Sequence, residues 1–223
     1  MAVQSSAFGQ IERGRREATT GYAPDATHNV VVQVADKSGN YVLTSHQVVL
    51  DRTGPSLAPT LSAPNNGTSY DVGTKITVTW TAADLNGVHS TSGAIEGQTI
   101  SASGSTIDVD VLLAGSHTLT VTSTDNAGNV TTKTITFTIH PTAQGILNAI
   151  NDGVARGWIT ASFGSTLVTQ IQQVIKAASS SSANVRTKIN QLISTLNYPP
   201  TGGITAAYQA RMLNWANDLL SRT

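Results

Sequence analysis

Between residues 55 and 140 the chain alternates apolar and polar positions with a period of two. Ile76, Val78, Trp80 and Ala82 alternate with Thr77, Thr79 and Thr81. Ile107, Val109 and Val111 alternate with Asp108 and Asp110. Leu119 and Val121 alternate with threonines, and so do Ile135, Phe137 and Ile139. This period puts one set of side chains on a buried face and the other on a solvated face, as in antiparallel strands. Threonine suits the solvated face because its β-branch favours extended backbone. Turn formers interrupt the runs at Pro64-Asn65-Asn66-Gly67, Asn86-Gly87, Ser103-Gly104-Ser105 and Ala127-Gly128-Asn129. About seven short strands in about 85 residues predict a two-sheet sandwich.

From residue 142 the period changes to 3.6. Four stripes follow i, i+3/i+4 spacing: Ile146 to Val154, Leu167 to Ala178, Val185 to Leu196, and Tyr208 to Leu219. Breaks fall at Gly157, at Ser179–Ser182 and at Tyr198-Pro199-Pro200. Thr205 stands where the last helix needs an N-cap. Four amphipathic helices of this length predict a small four-helix bundle.

The segment before the sandwich contains a repeat. Residues 28–40 (HNVVVQVADKSGN) align without a gap with 117–129 (HTLTVTSTDNAGN), at an offset of 89. His28 falls on His117, Asp36 on Asp125, Gly39 on Gly128 and Asn40 on Asn129; Val48 then falls on Phe137 and Leu50 on Ile139. Only the last strands of a first module are matched, so residues 1–54 read as a partial, truncated module with an exposed apolar face and unpaired edges. Residues 1–17 show no alternation. The expected organisation is multidomain β + α: a partial Ig-like module at 1–54, a complete Ig-like sandwich at 55–140 and a helical bundle at 142–223.

Composition narrows the function. Lys and Arg balance Asp and Glu at 13 each, and only 12% of residues are charged. A nucleic-acid binder needs a positive patch to displace counterions, so none is expected as a partner. The chain has no cysteine, which excludes disulfides and thiolate metal sites. No apolar run is long enough to span a membrane, and the first residues lack the apolar core of a signal peptide. An extracellular location therefore requires an export signal outside this chain.

The chemistry-bearing motifs are few. Asp36, Gly39, Asn40 and Asp125, Gly128, Asn129 read as two tight turns, in which Asp bonds the turn backbone and Gly takes positive φ. The alternative for such acidic turns is calcium, with Asp84 and Asp125 as candidate ligands, or Asp84 with Asp71. Calcium wants six to eight oxygens, more than one such turn supplies. No cofactor is otherwise expected. The histidines lack metal-ligand spacing, and His117 is expected to hydrogen-bond a corner loop. No serine elbow, phosphate loop or carboxylate pair suggests catalysis. Trp80 and Trp215 lie on apolar faces and read as core. Trp158 and Tyr198 lie in breaks and are the candidate ligand-binding rings, since a flat exposed ring stacks on a sugar face; packing between helices is their other use.

These residues carry a resemblance. The segments WTAADLNGV (80–88), AIEGQTIS (94–101) and LLAGSHTLTVTSTDNAGNVTTKTITFTIHPT (112–142) resemble bacterial Ig-like repeats. VADKSGNYVLTSHQVVLDRTGP (34–55) resembles the end of another copy. ILNAINDGVARGWIT, VRTKINQLISTLN and AAYQARMLNWANDLL resemble a FIMAH-like C-terminal helical domain. The resemblance implies the non-catalytic C-terminal accessory region of a secreted bacterial protein, such as a polysaccharide-acting hydrolase whose catalytic domain lies upstream. It implies a spacer and a docking module for a polysaccharide or cell-wall polymer, and no catalytic residues. The alternatives are a carbohydrate-binding module using Trp158 and Tyr198, or an adhesin that assembles through an open β edge.

Overall fold

The computed structural model describes residues 3–5, 23–35, 37–62 and 68–223. In chain order the strands are β1 (Val3–Ser5), β2 (Ala26–Ala35), β3 (Tyr41–Leu50), β4 (Ser56–Leu61), β5 (Ser69–Tyr70), β6 (Lys75–Ala83), β7 (Val88–Ile95), β8 (Gln98–Ile100), β9 (Ser105–Asp108), β10 (Gly115–Asp125) and β11 (Val130–Ile139). One 3-10 turn, Val109–Val111, follows β9. The helices are α1 (Ala143–Ala155), α2 (Ala161–Ala177), α3 (Ser182–Asn197) and α4 (Ala206–Ser221). The sheets have the strand orders β1-β2-β3, β5-β11-β10-β7-β8 and β4-β6-β9.

The chain divides into two compact units. The first comprises Met1–Ser56, Ala82–Ser90 and Ser123–Thr131. Its β2–β3 hairpin runs in register from Ala26 opposite Leu50 to Ala35 opposite Tyr41. Residues 1–17, which show no alternation in the sequence, contribute β1, with Val3 opposite Val32. Directly opposed residues share a face, so His28, Val30, Val32 and Val34 lie on one face with Val42 and Val48. Val34, Val42 and Val48 on that face are 58%, 71% and 50% exposed. At the base of the hairpin, Arg52 Nε donates to Asp25 Oδ1 at 2.8 Å and the Thr53 hydroxyl donates to Asp25 Oδ2 at 2.7 Å. Those bonds from Thr53 and Arg52 hold the Asp25 carboxyl below its usual range.

The second unit comprises Leu57–Thr81, Thr91–Thr122 and Thr132–Thr223. Its inward-facing strand residues are the alternating set read from the sequence. Ile76, Val78, Trp80 and Ile107 on one sheet, and Leu119, Val121, Phe137 and Ile139 on the other, are buried. The threonines between them point out. Hydroxyls of Thr118 and Thr136 stand 3.5 Å apart across the strands, and those of Thr60 and Thr79 bond at 2.7 Å. The ladder is mixed rather than purely antiparallel: β5 pairs parallel to β11, with Thr138 opposite Ser69. Tyr70 brings β5 in, its ring edge-on to Phe137 at 5.6 Å and its hydroxyl on the Ser62 carbonyl.

The four helices form where the stripes predict. Thr142, Thr160 and Ser181 accept N-cap bonds from Gly145, Phe163 and Asn184. Thr205 stands at the fourth N-cap without a side-chain bond. The buried faces carry Ile146, Ile150, Leu167, Ile171, Ile189, Leu192, Met212 and Trp215. Helix packs on helix in sequence, α1 on α2, α2 on α3 and α3 on α4, and α4 closes on α1. The fold is thus an Ig-like β-sandwich followed by a small four-helix bundle.

Within the second unit the bundle is joined to the end of the sandwich by specific bonds. Trp215 Nε1 donates to the Leu112 carbonyl at 3.0 Å, Arg211 Nε to the Val111 carbonyl at 3.0 Å, and the Ala114 N–H to Asn214 Oδ1 at 2.7 Å. Asp71 accepts from the Thr142 N–H at 2.8 Å and from the Thr142 hydroxyl. The helix passes so close that a β-carbon at Gly145 would lie 2.0 Å from Asp71 Oδ1.

Candidate functional site

Three places hold the residues singled out by sequence. The first is an acidic cluster in the first unit. Asp51 follows β3, Asp84 sits in the turn after β6, and Asp125 ends β10. One carboxylate oxygen of each lies within 4.8 Å of the other two. Asp84 and Asp125 were expected as partners; Asp51 was not. The alternative partner, Asp71, is instead spent on Thr142 in the second unit.

Local chemistry places each acid. Asp125 closes its turn: its Oδ1 accepts the Asn129 N–H at 2.8 Å and its Oδ2 the Asn129 amide at 2.9 Å. Gly128 takes φ +92° there, and Gly39 takes φ +90° at the equivalent place; Asp36 lies outside the described residues. Burial opposes ionisation of Asp125, but bonds from the Asn129 side chain and the Asn129, Ala127 and Gly128 N–H groups outweigh it and lower its pKa. Asp84 Oδ1 accepts the Asn86 N–H at 2.8 Å. The Asn129 amide also reaches the Asp51 carbonyl at 3.1 Å, which ties the segment after β3 to this turn. Asp51 Oδ1 accepts the Thr53 N–H, but its Oδ2 is buried without a hydrogen-bond partner. Burial, and then the facing charges of Asp84 and Asp125, push the Asp51 carboxyl up, against the bond from Thr53.

The donor set is all oxygen, and a hard divalent cation is held by such oxygens. A buried carboxylate oxygen without a donor, facing two further carboxylates, is the arrangement that a cation relieves. The three acids therefore fit calcium.

The second place is a cleft of about 600 Å³ in the second unit, lined by β9, the turn at Gly73–Lys75 and one side of α1. At its floor Asp110 is 3% exposed and accepts the Gly73 N–H at 2.8 Å. Arg156 bridges Asp108 at 2.5 Å and Asp152 at 2.6 Å. Its hydrogen bond to Asp108 is the main cause of a raised Arg156 pKa. Burial, helped by the neighbouring Asp152 and Asp108 and opposed by Gly73, pushes Asp110 up to about 6. Burial, then the Asp110 charge, also raises the Tyr208 hydroxyl, which donates to the Ala149 carbonyl at 2.6 Å. These groups satisfy one another and clamp β9 to α1.

The third place is aromatic. Trp158 is half-buried, its ring 5.0 Å from Tyr208 and 4.6 Å beneath the Arg156 guanidinium. The break that carries it is pinned by a bridge between Ile159 and Ile204. Tyr198 is 85% exposed beside Pro199. The structure does not bring these two rings into contact with each other.

Two of the histidines hold corners. His117 places Nε2 on the Leu113 carbonyl at 2.8 Å and Nδ1 against Glu96, a residue at φ 41°. His28 makes the corresponding bond, Nε2 to the Pro24 carbonyl at 2.8 Å, also four residues back.

In class, then, this is an Ig-like β-sandwich followed by a small helical bundle. No family model matches the chain, and no curated protein matches it. Among solved structures it is similar to fibronectin(III)-like modules of CbhA from Clostridium thermocellum, at 15% identity and TM-score 0.31, over 53% of this chain and 65% of that one. It is similar to a Ca2+-stabilized adhesin with which an Antarctic bacterium binds ice, at 21% identity and TM-score 0.28, over 52% and 32%. It is also similar to a β-1,2-glucanase from Parabacteroides distasonis, at 15% identity and TM-score 0.23, over 82% and 33%. The chain thus covers less than two thirds of each. At these identities and scores the likeness carries no argument about activity, ligand or partner.

Proposed function

We propose that this chain is a non-catalytic accessory region of an extracellular multidomain protein, a tandem Ig-like spacer ending in a helical cap that docks on a polysaccharide or cell-wall polymer. The observation that carries the reading is the second unit itself. Sandwich and bundle are joined by bonds of Trp215, Arg211 and Asp71, which suits a stiff element, and this unit presents Tyr198 outward. The matching His28 and His117 bonds support the tandem-module part of the reading. The test is depletion of the full chain by insoluble cellulose, xylan, chitin and peptidoglycan. Binding to one of them, weakened at least tenfold in Tyr198→Ala with melting unchanged, is the expected result. Full recovery in the supernatant with all four polymers overturns the docking role.

Calcium at Asp51, Asp84 and Asp125 is part of the same proposal. When bound, the cation supplies a positive centre that holds three chain segments together without chemistry on a substrate. Millimolar calcium is expected to raise the melting temperature of the full chain, and Asp51→Asn to abolish that rise. Melting that is identical in calcium and in chelator overturns the assignment.

A further inference from the structure

We infer that the cleft between β9 and α1 is a binding site for a neutral sugar, one or two pyranose rings held by hydrogen bonds. Three elements build its walls. Lys75 opens β6 directly opposite Asp108 of β9, and Thr106 stands two residues before Asp108. Opposed residues and alternate residues share a face. Lys75, Thr106 and Asp108 therefore stand on one face of the ladder, while Ile76 and Ile107 are buried on the other. Across the cleft, Asn148, Asn151, Asp152 and Ala155 line it from α1. Their i, i+3, i+4, i+7 spacing puts them on one helix face.

The lining selects the class of ligand. Of its side chains only those of Ile107 and Ala155 are apolar, and none is aromatic. A lipid tail or an apolar peptide has little to bury against there, and a nucleobase has no ring to stack on. The carboxyls of Asp108, Asp110 and Asp152 repel an anion. Arg156 already bridges two of them, and Lys75 stands beside the same Asp108, which turns away a cation. A polar, uncharged ligand is what such a lining accepts. At about 600 Å³ the cleft has room for a small one.

Bonding capacity is left over for it. The side chains of Lys75, Thr106 and Asn151 make no hydrogen bond or ion pair among the described residues. They offer an ammonium, a hydroxyl and an amide. A side-chain amide holds a donor and an acceptor side by side, which matches two neighbouring hydroxyls of a sugar ring. Asn148 accepts from Gln144 through its Oδ1 and adds its own amide N–H groups. The bridge from Arg156 to Asp108 and Asp152 fixes both walls in advance, so little ordering is lost when a ligand enters. Tyr198 does not line the cleft, so this site is separate from the ring assigned to the polymer surface.

Amide NMR shifts of the full chain test this. The probes are cellobiose, xylobiose and di-N-acetylchitobiose, a choice that rests on the docking reading above. The expected result is saturable movement of the Thr106, Asp108 and Asn151 amides with at least one of the three. Asn151→Ala and Thr106→Val should each weaken that binding about fivefold or more, the worth of one hydrogen bond, with melting unchanged. No movement with any of the three, or movement confined to residues outside the cleft, overturns the inference. So does cleft binding that survives both substitutions at full affinity. Tighter saturation of the cleft by inorganic phosphate or by ethanolamine overturns it too, since the ligand is then an ion. The polymer assay reads Tyr198 and this titration reads the cleft, so each can fail while the other stands.

Discussion

A single carboxyl, Asp110, shows how burial becomes a pH response. Its folded pKa of about 6 lies above the ordinary 3.8. The folded state therefore holds the proton more tightly than the unfolded chain does. Stability from this group is complete below about pH 4, falls as pH rises towards 6, and stays at its minimum above that. Asp110→Asn keeps an acceptor for the Gly73 N–H and turns an amide towards Asp152. We expect it to stabilise the chain at pH 8 by up to about 3 kcal/mol, with the gain gone near pH 4. Denaturant melts at the two pH values check this; an equal loss at both would mean that the carboxylate serves as an ion-pair partner instead. At this scale the sequence was partly legible. It marked Asp84 and Asp125 because acids in turns are visible as such. It missed Asp51 because the repeat offset places His140, not an acid, at the equivalent position.

At the scale of elements, the two periodicities found the helices and the longer strands, because each reports which face of an element is buried; they carried the β9 run on through Val111, where the chain instead makes a 3-10 turn with Asp110 buried. They do not report what buries it. Trp215 was readable as core from its spacing with Met212 and Leu219. That its indole N–H would end on the Leu112 carbonyl, across from a strand end, was not. Trp215→Phe leaves that carbonyl without its donor and opens a small cavity. The variant should lose about 2–4 kcal/mol, read from chemical denaturation. A loss below about 0.5 kcal/mol, the ordinary range for surface positions, would mean the contact is not formed. Short β5 escaped the alternation because two residues carry no period, and only its parallel pairing with β11 defines it.

For the molecule as a whole, the second unit joins sandwich and bundle through side chains that alternation cannot pair, Trp215, Arg211 and Asp71 among them. Helical ellipticity at 222 nm and the β-sheet amide I′ infrared band should therefore lose their native values in one coincident thermal transition. Two transitions separated by more than about 10 °C, well beyond what a 1 kcal/mol difference produces, would show independent melting.

The outward threonine rows have a consequence for the water around the protein. Hydroxyls keep a surface hydrated without charge, so dissolved ions have nothing there to screen. With 12% of the chain's residues charged and no formal net charge overall, the threonine rows present nearly the same face in fresh water and in brine. Over those rows, solubility need not change between the two.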